Sequence, residues 1–351
     1  MFKISVQVFL LLMIFNVIRA QDVNFSQFNT VAPYYNPAFT STFTGNFRVS
    51  SIHRNQWIGL QERPISSFGV LGDIKFDLGF QDFKNDYFGA AVYFITDRAK
   101  IFDWNNNEIS ILLSYHKLLE KSSANYLSVG IGFGITQRSI NYDNIYFEDQ
   151  FDGITNYSGT SSELLPANIY SKPEIKFGLQ HNTALNSKLR IQSGVALHYL
   201  FKPNLSLYNN FEDKDYTGSK TILANHKITG ILNLIYNVNS YTDIYPRLLI
   251  TNQGQHFMIN TGLSFRRSFY TLNQTAFHSG VSTRLVKNLN SIVPADLGLQ
   301  VGFEIKNFII GLHYDFGIKD AIQYKSPTHS MEISFTLISN YDYEGYICPS
   351  F

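Results

Sequence analysis

The sequence predicts an all-β fold, a transmembrane antiparallel β-barrel of about fourteen strands (12 to 16) with both termini in the periplasm. Three observations predict it. Apolar and polar residues alternate with a period of two in segments of about ten to twelve residues. After the N-terminus, no apolar run reaches the roughly 20 residues that a transmembrane helix needs. Connections between the segments alternate between long and short along the chain, as outer-membrane barrels require, because their long loops lie on one side of the membrane and their short turns on the other.

Residues 1–20 are predicted to be a secretory signal peptide. Lys3 precedes an apolar run from about Val6 to Ile18, and Ala20 closes it before the polar Gln21. The mature chain is therefore expected to start near Gln21. An uncleaved helix is the alternative, although the run is shorter than a membrane span.

Three further regions follow the predicted signal peptide. Residues 21–45 contain Pro33 and Pro37 and are expected to form either a periplasmic arm or a plug inside the barrel, since a barrel of this size can enclose such a segment. Residues 46–340 are predicted to form the outer-membrane barrel, and residues 341–351 a C-terminal periplasmic tail.

The alternation is clearest in residues 126–138. Leu127, Val129 and Phe133 point to one face, and Ser128 and Gly130 to the other. A soluble β-sandwich strand shows the same pattern. Strand length, together with polar-face residues elsewhere, favours a barrel with an apolar outer face and a polar lumen; those residues are Arg190, Gln192, His198, Glu304 and Asp315.

Counting such segments predicts strands at residues 46–53, 67–78, 86–96, 108–118, 125–138, 173–183, 188–201, 222–236, 241–251, 256–267, 274–285, 296–306, 308–318 and 329–340. The outer connections are predicted at residues 54–66, 97–107, 139–172, 202–221, 286–295 and 319–328. Residues 252–255 are the short exception among them. The inner connections include 79–85, 119–124, 184–187, 237–240 and 306–307.

Composition restricts the function class. Aromatic residues make up 15% and charged residues only 16% of the chain, whereas soluble proteins usually carry about 25% charged residues. Without Lys3 and Arg19 the mature chain has 26 basic and 27 acidic residues, a formal charge of about −1, so no nucleic-acid partner is predicted. The single cysteine, Cys348, excludes an internal disulfide framework.

No motif predicts catalysis, a cofactor or a metal. The nine histidines are scattered singly, and no Ser–His spacing marks a catalytic triad, so no enzyme is predicted. Gly130-x-Gly132-x-Gly134 has the period of a strand and precedes no helix, so it is predicted to make room in the lumen for a plug or for neighbouring side chains. Asp103-x-Asn105-x-Asn107 begins like a calcium loop, but Glu108 replaces the required glycine.

Short motifs recur in a fixed order at the two ends of the chain. The N-terminal motifs are Gln21-Asp22, Phe25-Ser26-Gln27, Tyr35-Asn36-Pro37-Ala38 and Arg54-Asn55-Gln56-Trp57, and the C-terminal ones are Gly311 to Phe316, Glu332-Ile333-Ser334 and Cys348-Pro349-Ser350-Phe351. Together these motifs resemble the PorP/SprF family of type IX secretion membrane proteins. The final strand departs from the family pattern, with His329-Ser330-Met331 where glycines are frequent.

The resemblance implies an outer-membrane accessory and anchor of the type IX secretion system rather than its main export pore. Its expected partners are a secreted surface protein, adhesin-like and bearing a type B C-terminal domain, components of the secretion or gliding machinery, and the outer-membrane bilayer. The alternative is a passive channel or hydrophobic-ligand transporter, which an open lumen would favour.

Two groups of site residues follow from the resemblance and the loop pattern. The family motifs would have structural roles, with Arg54 holding the N-terminal segment inside the barrel through carboxylates or backbone carbonyls; they are Asn36, Pro37, Ala38, Arg54, Asn55, Gln56, Trp57, Glu332, Cys348 and Pro349. Partner binding is expected in the two longest loops, which contain Tyr146, Phe147, Phe151, Tyr208 and Phe211. Cys348 is expected either to contact machinery or to be a buried, unreactive thiol.

Overall fold

The computed structural model describes residues 23–59, 64–76, 85–100, 103–143, 145–154, 156–157, 159, 161–163, 165–210, 221–269, 275–288, 291–319 and 328–339. The predicted signal peptide and the C-terminal tail with Cys348 and Pro349 lie outside these residues. So does Phe211.

Fourteen antiparallel strands form one closed barrel, which confirms the predicted fold class. The strand starts and ends differ from the predicted ones by a few residues. The strands are β1 (Phe47–Ile58), β2 (Ile65–Phe76), β3 (Tyr87–Ala99), β4 (Trp104–Glu120), β5 (Asn125–Ser139), β6 (Ile169–Ala184), β7 (Leu189–His198), β8 (Lys227–Asn239), β9 (Thr242–Gln253), β10 (His256–Ser268), β11 (Thr275–Lys287), β12 (Ile292–Ile305), β13 (Phe308–Gly317) and β14 (His329–Ile338).

The barrel closes where β1 pairs with β14, from Arg48 opposite Ile338 to Ile58 opposite His329. Every other strand pairs with its neighbours in sequence. Closure satisfies the backbone groups that an open sheet edge would leave unpaired, which is the condition for a sheet to cross a bilayer.

The two faces of each strand follow the predicted alternation. On β5, Leu127, Phe133 and Ile135 are exposed on the outer surface, while Tyr126 and Ser128 are buried in the lumen. The same outer apolar band continues on β12 and β13, as at Leu299 and Leu312. Apolar side chains therefore face the lipid and polar side chains face the interior.

The two rims of the barrel differ in their connections. We call the rim at the start of β1 and the end of β14 the terminal rim, and the opposite one the loop rim. The two longest connections, residues 140–168 and 199–226, both lie at the loop rim, as does 318–328.

The predicted sorting by length is otherwise wrong, because loop-rim connections 59–64, 100–103 and 288–291 are short and residues 77–86 at the terminal rim are longer. The cause is visible on β3 and β4, where pairing continues through polar residues. Thr96 and Asn107 sit opposite each other, and the Thr96 hydroxyl donates to Asn107 Oδ1 at 2.6 Å. Backbone pairing does not require apolar side chains, so strands extend past the apolar band that marks them in the sequence.

Residues 23–46, here called the plug, lie inside the barrel. They form a 3₁₀ turn (Phe28–Val31), a single helical turn, α1 (Ala32–Tyr35), and a second 3₁₀ turn (Pro37–Phe39). Short 3₁₀ turns also occur in the loops at Glu148–Gln150 and Leu207–Asn210. Within the described part of the chain, no helix has the length and apolar character needed to cross a membrane.

The hydrophobic core of the protein is inside the lumen and is shared by the plug and the wall. Phe25, Tyr35 and Phe39 of the plug belong to one buried cluster with wall residues such as Leu71 and Leu112. The plug and the wall contribute about equally to this cluster, and the plug covers apolar wall side chains such as Ile52 and Tyr93 inside the lumen. The plug therefore stabilises the lumen as a second, inner layer.

Candidate functional site

Glu332 on β14 holds the start of the plug. Its carboxylate accepts hydrogen bonds from the backbone N–H groups of Ser26, at 2.6 Å, and Gln27, at 2.9 Å. Arg54 Nη1 donates to the same carboxylate at 2.6 Å. Glu332 and Arg54 face each other across the β1–β14 seam and are 0% and 1% exposed. A charge buried to this degree is stable only when it is paired and hydrogen-bonded, as it is here.

A second pair of charges meets the same plug residue. The Ser26 hydroxyl donates to Asp315 Oδ2 at 2.7 Å and accepts from Arg284 Nη2 at 2.8 Å and Arg54 Nη1 at 3.0 Å. Arg284 also lies 3.2 Å from Asp315. The hydroxyl of this one serine thus contacts three strands of the wall, β1, β11 and β13, and its N–H contacts a fourth, β14.

A further buried charge cluster lies where the wall meets α1. Lys176 Nζ on β6 pairs with Glu108 at 2.5 Å and with Glu174 at 3.4 Å, and it donates to the Tyr93 hydroxyl. Its ammonium also lies 4.9 Å from the centre of the Tyr34 ring of the plug. The cluster couples the plug to the wall through a cation–π contact as well as through packing.

Asn36 fixes the middle of the plug against β6 and β7. Its Nδ2 donates to the backbone carbonyls of Leu179, at 3.1 Å, and Val195, at 3.2 Å, while its Oδ1 accepts from Ala38 N–H at 2.9 Å. A Cβ added at Gly178 would lie 2.0 Å from Asn36 Oδ1. The contact therefore requires glycine in the wall opposite Asn36.

Gly130 on β5 likewise leaves room for the second 3₁₀ turn of the plug, Pro37–Phe39. A Cβ there would lie 2.3 Å from Ala38 N and from the Pro37 carbonyl carbon. Added Cβ atoms at Gly132 and Gly134 would instead meet Leu112 and Ser110 of the wall. The alternating glycines thus make room for the plug at Gly130 and for neighbouring lumen side chains at the other two.

Another ion pair holds the plug where it leaves the lumen at the terminal rim. Arg48 on β1 binds Asp73 on β2 with two hydrogen bonds, at 2.9 and 2.8 Å, and Asp73 also accepts from Ser41 N–H at 2.8 Å. The plug is therefore held at both ends and in the middle. Burial raises the pKa of the Tyr35 hydroxyl, which accepts from Phe25 N–H at 2.8 Å, so this internal contact stays neutral.

A cavity of about 780 Å³, here called the vestibule, lies between the plug and the loop rim. Plug residues Val23 and Asn24 line it, together with inward side chains of strands all round the barrel. Aromatic and charged residues stand out in this lining; they are Trp57, Trp104 and Phe257, the arginines Arg54, Arg138 and Arg284, and the carboxylates Asp97, Asp296 and Asp315.

An aromatic patch lies in the loop of residues 140–168 at the loop rim. Tyr157 packs against Tyr146 and Phe151, with ring centres 5.5 and 5.0 Å apart, and Phe151 and Tyr157 form an isolated β-bridge. Tyr146, Phe151 and Tyr157 are 65%, 44% and 48% exposed, and neighbouring Ile154 is 81% exposed. Internal hydrogen bonds shape the loop, since Asp149 accepts from Ser161 and Ser162.

The remaining site residues named from the sequence are distributed as follows. Asn55 is half-buried and, by the alternation of β1, lies on its outward face, while Gln56 lines the vestibule. Trp57 sits in a bulge between β1 and its partner β14 with a left-handed φ of 64°, which turns its side chain out of the alternating pattern. Phe147 and Tyr208 are half-buried in their loops.

Sequence reasoning missed Arg284, whose only signal was a charged residue on the inward face of a strand. It named Ser26 and Gln27 as part of a family motif but gave them no anchoring role. No group of three His, Cys, Asp or Glu side chains able to hold a metal ion occurs within the described ranges.

The family model described as "Type IX secretion system membrane protein PorP/SprF" matches residues 17–336. A search of curated proteins finds no significant match. Among solved structures, the chain is similar to the CymD monoaromatic hydrocarbon channel, with a TM-score of 0.53 at 10% identity over 89% of this chain and 93% of that one.

Two further solved structures share the fold. A TodX monoaromatic hydrocarbon channel mutant matches with a TM-score of 0.51 at 9% identity, covering 89% of this chain and 94% of that one. A Pseudomonas aeruginosa FadL homologue matches with a TM-score of 0.50 at 10% identity, covering 87% and 93%. At such identities the likeness concerns the barrel fold alone.

Proposed function

Since this chain belongs to the PorP/SprF family of type IX secretion system membrane proteins, we propose that it is a non-catalytic accessory barrel that anchors a secreted surface protein at its loop rim. The family and the barrel fold place it in the outer membrane with a role in type IX secretion. The identity of the bound partner, an adhesin-like protein with a type B C-terminal domain, and a contribution to gliding motility are parts of the proposal.

The observation that carries the proposal is the filled lumen. The plug occupies the bore, and Glu332, Arg54 and Asp73 hold it with buried charges. Passing a polypeptide through this barrel would require breaking all these contacts at once. A barrel that keeps its bore closed is suited to holding a partner at its surface.

The loop-rim patch provides the second support. Tyr146, Phe151 and Tyr157 expose three packed aromatic rings on a loop that is ordered by its own hydrogen bonds. Aromatic side chains exposed on an ordered loop are typical of binding hot spots, because they bury much apolar area at low entropic cost.

The proposed orientation places the loop rim outside the cell and the terminal rim in the periplasm. Outer-membrane barrels have short periplasmic turns and longer extracellular loops, and the two longest connections share one rim here. The C-terminal tail with Cys348 would then be available to periplasmic components of the machinery.

The test is affinity purification of the tagged protein from gently solubilised outer membranes, with identification of the co-purifying chains. We expect a large surface protein and at least one secretion component. A triple variant, Tyr146→Ser with Phe151→Ser and Tyr157→Ser, is expected to lose the surface protein and keep the machinery. Recovery of neither kind of partner with the unmodified protein would refute the proposal.

A matched control makes the loop result specific. Leu185→Ser combined with Tyr241→Ser removes two exposed apolar side chains, 61% and 42% exposed, from turns at the terminal rim. This control is expected to retain the surface protein. Equal loss in both variants would show that the loop patch is not the binding surface.

A second candidate function is transport of a hydrophobic ligand. Only the fold likeness to hydrocarbon channels favours it. The plug opposes it, because residues 23–46 fill the bore between the vestibule and the terminal rim. Single-channel recordings separate the two proposals: we expect no stable conductance, and a steady open state would favour transport.

A further inference from the structure

We propose that the vestibule binds a carboxylate carried on an apolar group that enters from the loop rim. Its volume of about 780 Å³ falls within the range of about 300–1,000 Å³ that is usual for pockets that hold small ligands. Of the three arginines that line it, Arg54 and Arg284 bind Ser26 of the plug, whereas Arg138 has no such contact among the described residues.

Two neighbouring cations on the β5–β6 wall point to an anion. Arg138 lines the vestibule and sits opposite Tyr170, and Lys172 lies diagonally next to it, opposite Thr136. Lys172 is only 5% exposed and its Nζ has no hydrogen-bond partner; it lies 4.0 Å from the centre of the Tyr170 ring. Within the described part of the chain, neither cation forms a salt bridge.

This arrangement is unfavourable without an anion. Burying an ammonium group without a counter-ion costs free energy, and a guanidinium beside it adds repulsion. Glu174, the next acidic residue on the same face of β6, is occupied by Lys176 and by the Thr136 hydroxyl. An anion in the vestibule would meet Arg138, whose planar guanidinium fits a carboxylate with two parallel hydrogen bonds, while Lys172, which does not line the cavity, would add only its charge from the neighbouring strand.

The other residues that line the vestibule indicate which kind of chemical group carries the carboxylate. Trp104 lies two positions before Asn106, which sits opposite Arg138 across the β4–β5 pair. Trp57 and Phe257 also line the cavity. A small inorganic anion would leave these rings in contact with water, whereas an aliphatic or aromatic acid would cover them.

Two kinds of ligand present a carboxylate next to an apolar group. One is the C-terminal carboxylate of a polypeptide held by the loops, a source that rests on the proposed function. The other is a free aliphatic or aryl acid, which does not. Separate probes distinguish them.

Intrinsic fluorescence reports directly on this cavity, because the chain has two tryptophans, Trp57 and Trp104, and both line it. The full-length barrel in lipid nanodiscs is titrated with N-acetyl-Leu-Phe and with 4-phenylbutyrate, each against its uncharged amide. We expect saturable fluorescence changes with the acids and at least about tenfold weaker binding of the amides, as expected for loss of one charged hydrogen bond.

Two variants locate the anion. Arg138→Gln is expected to raise the Kd of the acids by about tenfold or more, while Lys188→Gln, which removes one positive charge from a turn at the terminal rim, is expected to leave it unchanged. Lys172→Met is expected to weaken acid binding, because it removes a positive charge diagonally beside Arg138.

Residues 211–220 contain three carboxylates, Glu212, Asp213 and Asp215, and lie outside the described residues. The titrations are therefore repeated with all three neutralised to Gln or Asn, so that no acid of this loop competes. Acid-selective binding in both backgrounds supports the inference, and tighter binding of the dipeptide identifies the polypeptide terminus as the source.

Three results would overturn the inference: amides that bind as well as acids, an Arg138→Gln variant with unchanged affinity, or no saturable signal in either background. These outcomes are independent of the purification experiment. Acid binding without a co-purifying surface protein would refute the anchoring function and leave the carboxylate site standing.

Discussion

Replacing Glu332 with Gln is expected to free the start of the plug while leaving the barrel folded. The substitution keeps the size of the side chain and removes the charge that binds Arg54 Nη1 and the N–H groups of Ser26 and Gln27. Arg54 would retain Asp315, at 3.3 Å, as its remaining buried acid. Removing one partner of a buried ion pair typically costs about 3–5 kcal/mol.

Hydrogen exchange measures this cost locally. If the plug opens without unfolding the barrel, the opening free energy falls by that amount, and amide exchange at Ser26 and Gln27 accelerates about 100- to 4,000-fold. The readout is exchange of the peptide that spans the start of the plug, followed by mass spectrometry, beside exchange of strand peptides from β4 and β5. Strand exchange is expected to stay slow.

Glu304→Gln provides the matched control. Glu304 is also a lumen carboxylate bound to an arginine, with Arg266 Nε and Nη2 at 2.8 Å, but it has no described contact with the plug. The Glu304→Gln variant is expected to show the wild-type rate of amide hydrogen exchange in the plug. Unchanged plug exchange in Glu332→Gln, or equal acceleration in both variants, would refute the anchoring role of Glu332.

Three further predictions concern the plug and the first residue of the mature chain. Gly130→Ala is expected to displace the plug backbone, which an added Cβ would approach to 2.3 Å, and to lower stability by about 1–3 kcal/mol; Gly72→Ala, with no atom within 4 Å, should leave the Tm unchanged. Asn36→Ala removes three hydrogen bonds of about 1 kcal/mol each and should lower the Tm and speed exchange of the plug. N-terminal analysis of the mature protein is expected to find Gln21 first, and a chain that starts at Met1 would contradict the predicted cleavage.

The strand pattern was predictable because side chains alternate strictly along a strand and because lipid demands an apolar face. All fourteen predicted strands are present, including β9, in which Pro246 sits within the ladder. Connection lengths were predicted poorly, since the sequence marks where apolar side chains stop rather than where backbone pairing stops. The short turns at 100–103 and 288–291 are the result.

The sequence by itself determined the barrel, a strand number between 12 and 16 and, through motifs at both ends, its resemblance to the family that the comparison then showed. It could not determine which residues meet in the lumen, because Ser26, Arg54, Arg284, Asp315 and Glu332 come from the plug and from four different strands, and closure of the barrel at the β1–β14 seam is what places Arg54 opposite Glu332. The vestibule is likewise a product of tertiary structure. It is the space left between the plug and the loop rim, and the depth at which the plug stops depends on contacts such as Asn36 with Leu179, which no local pattern specifies.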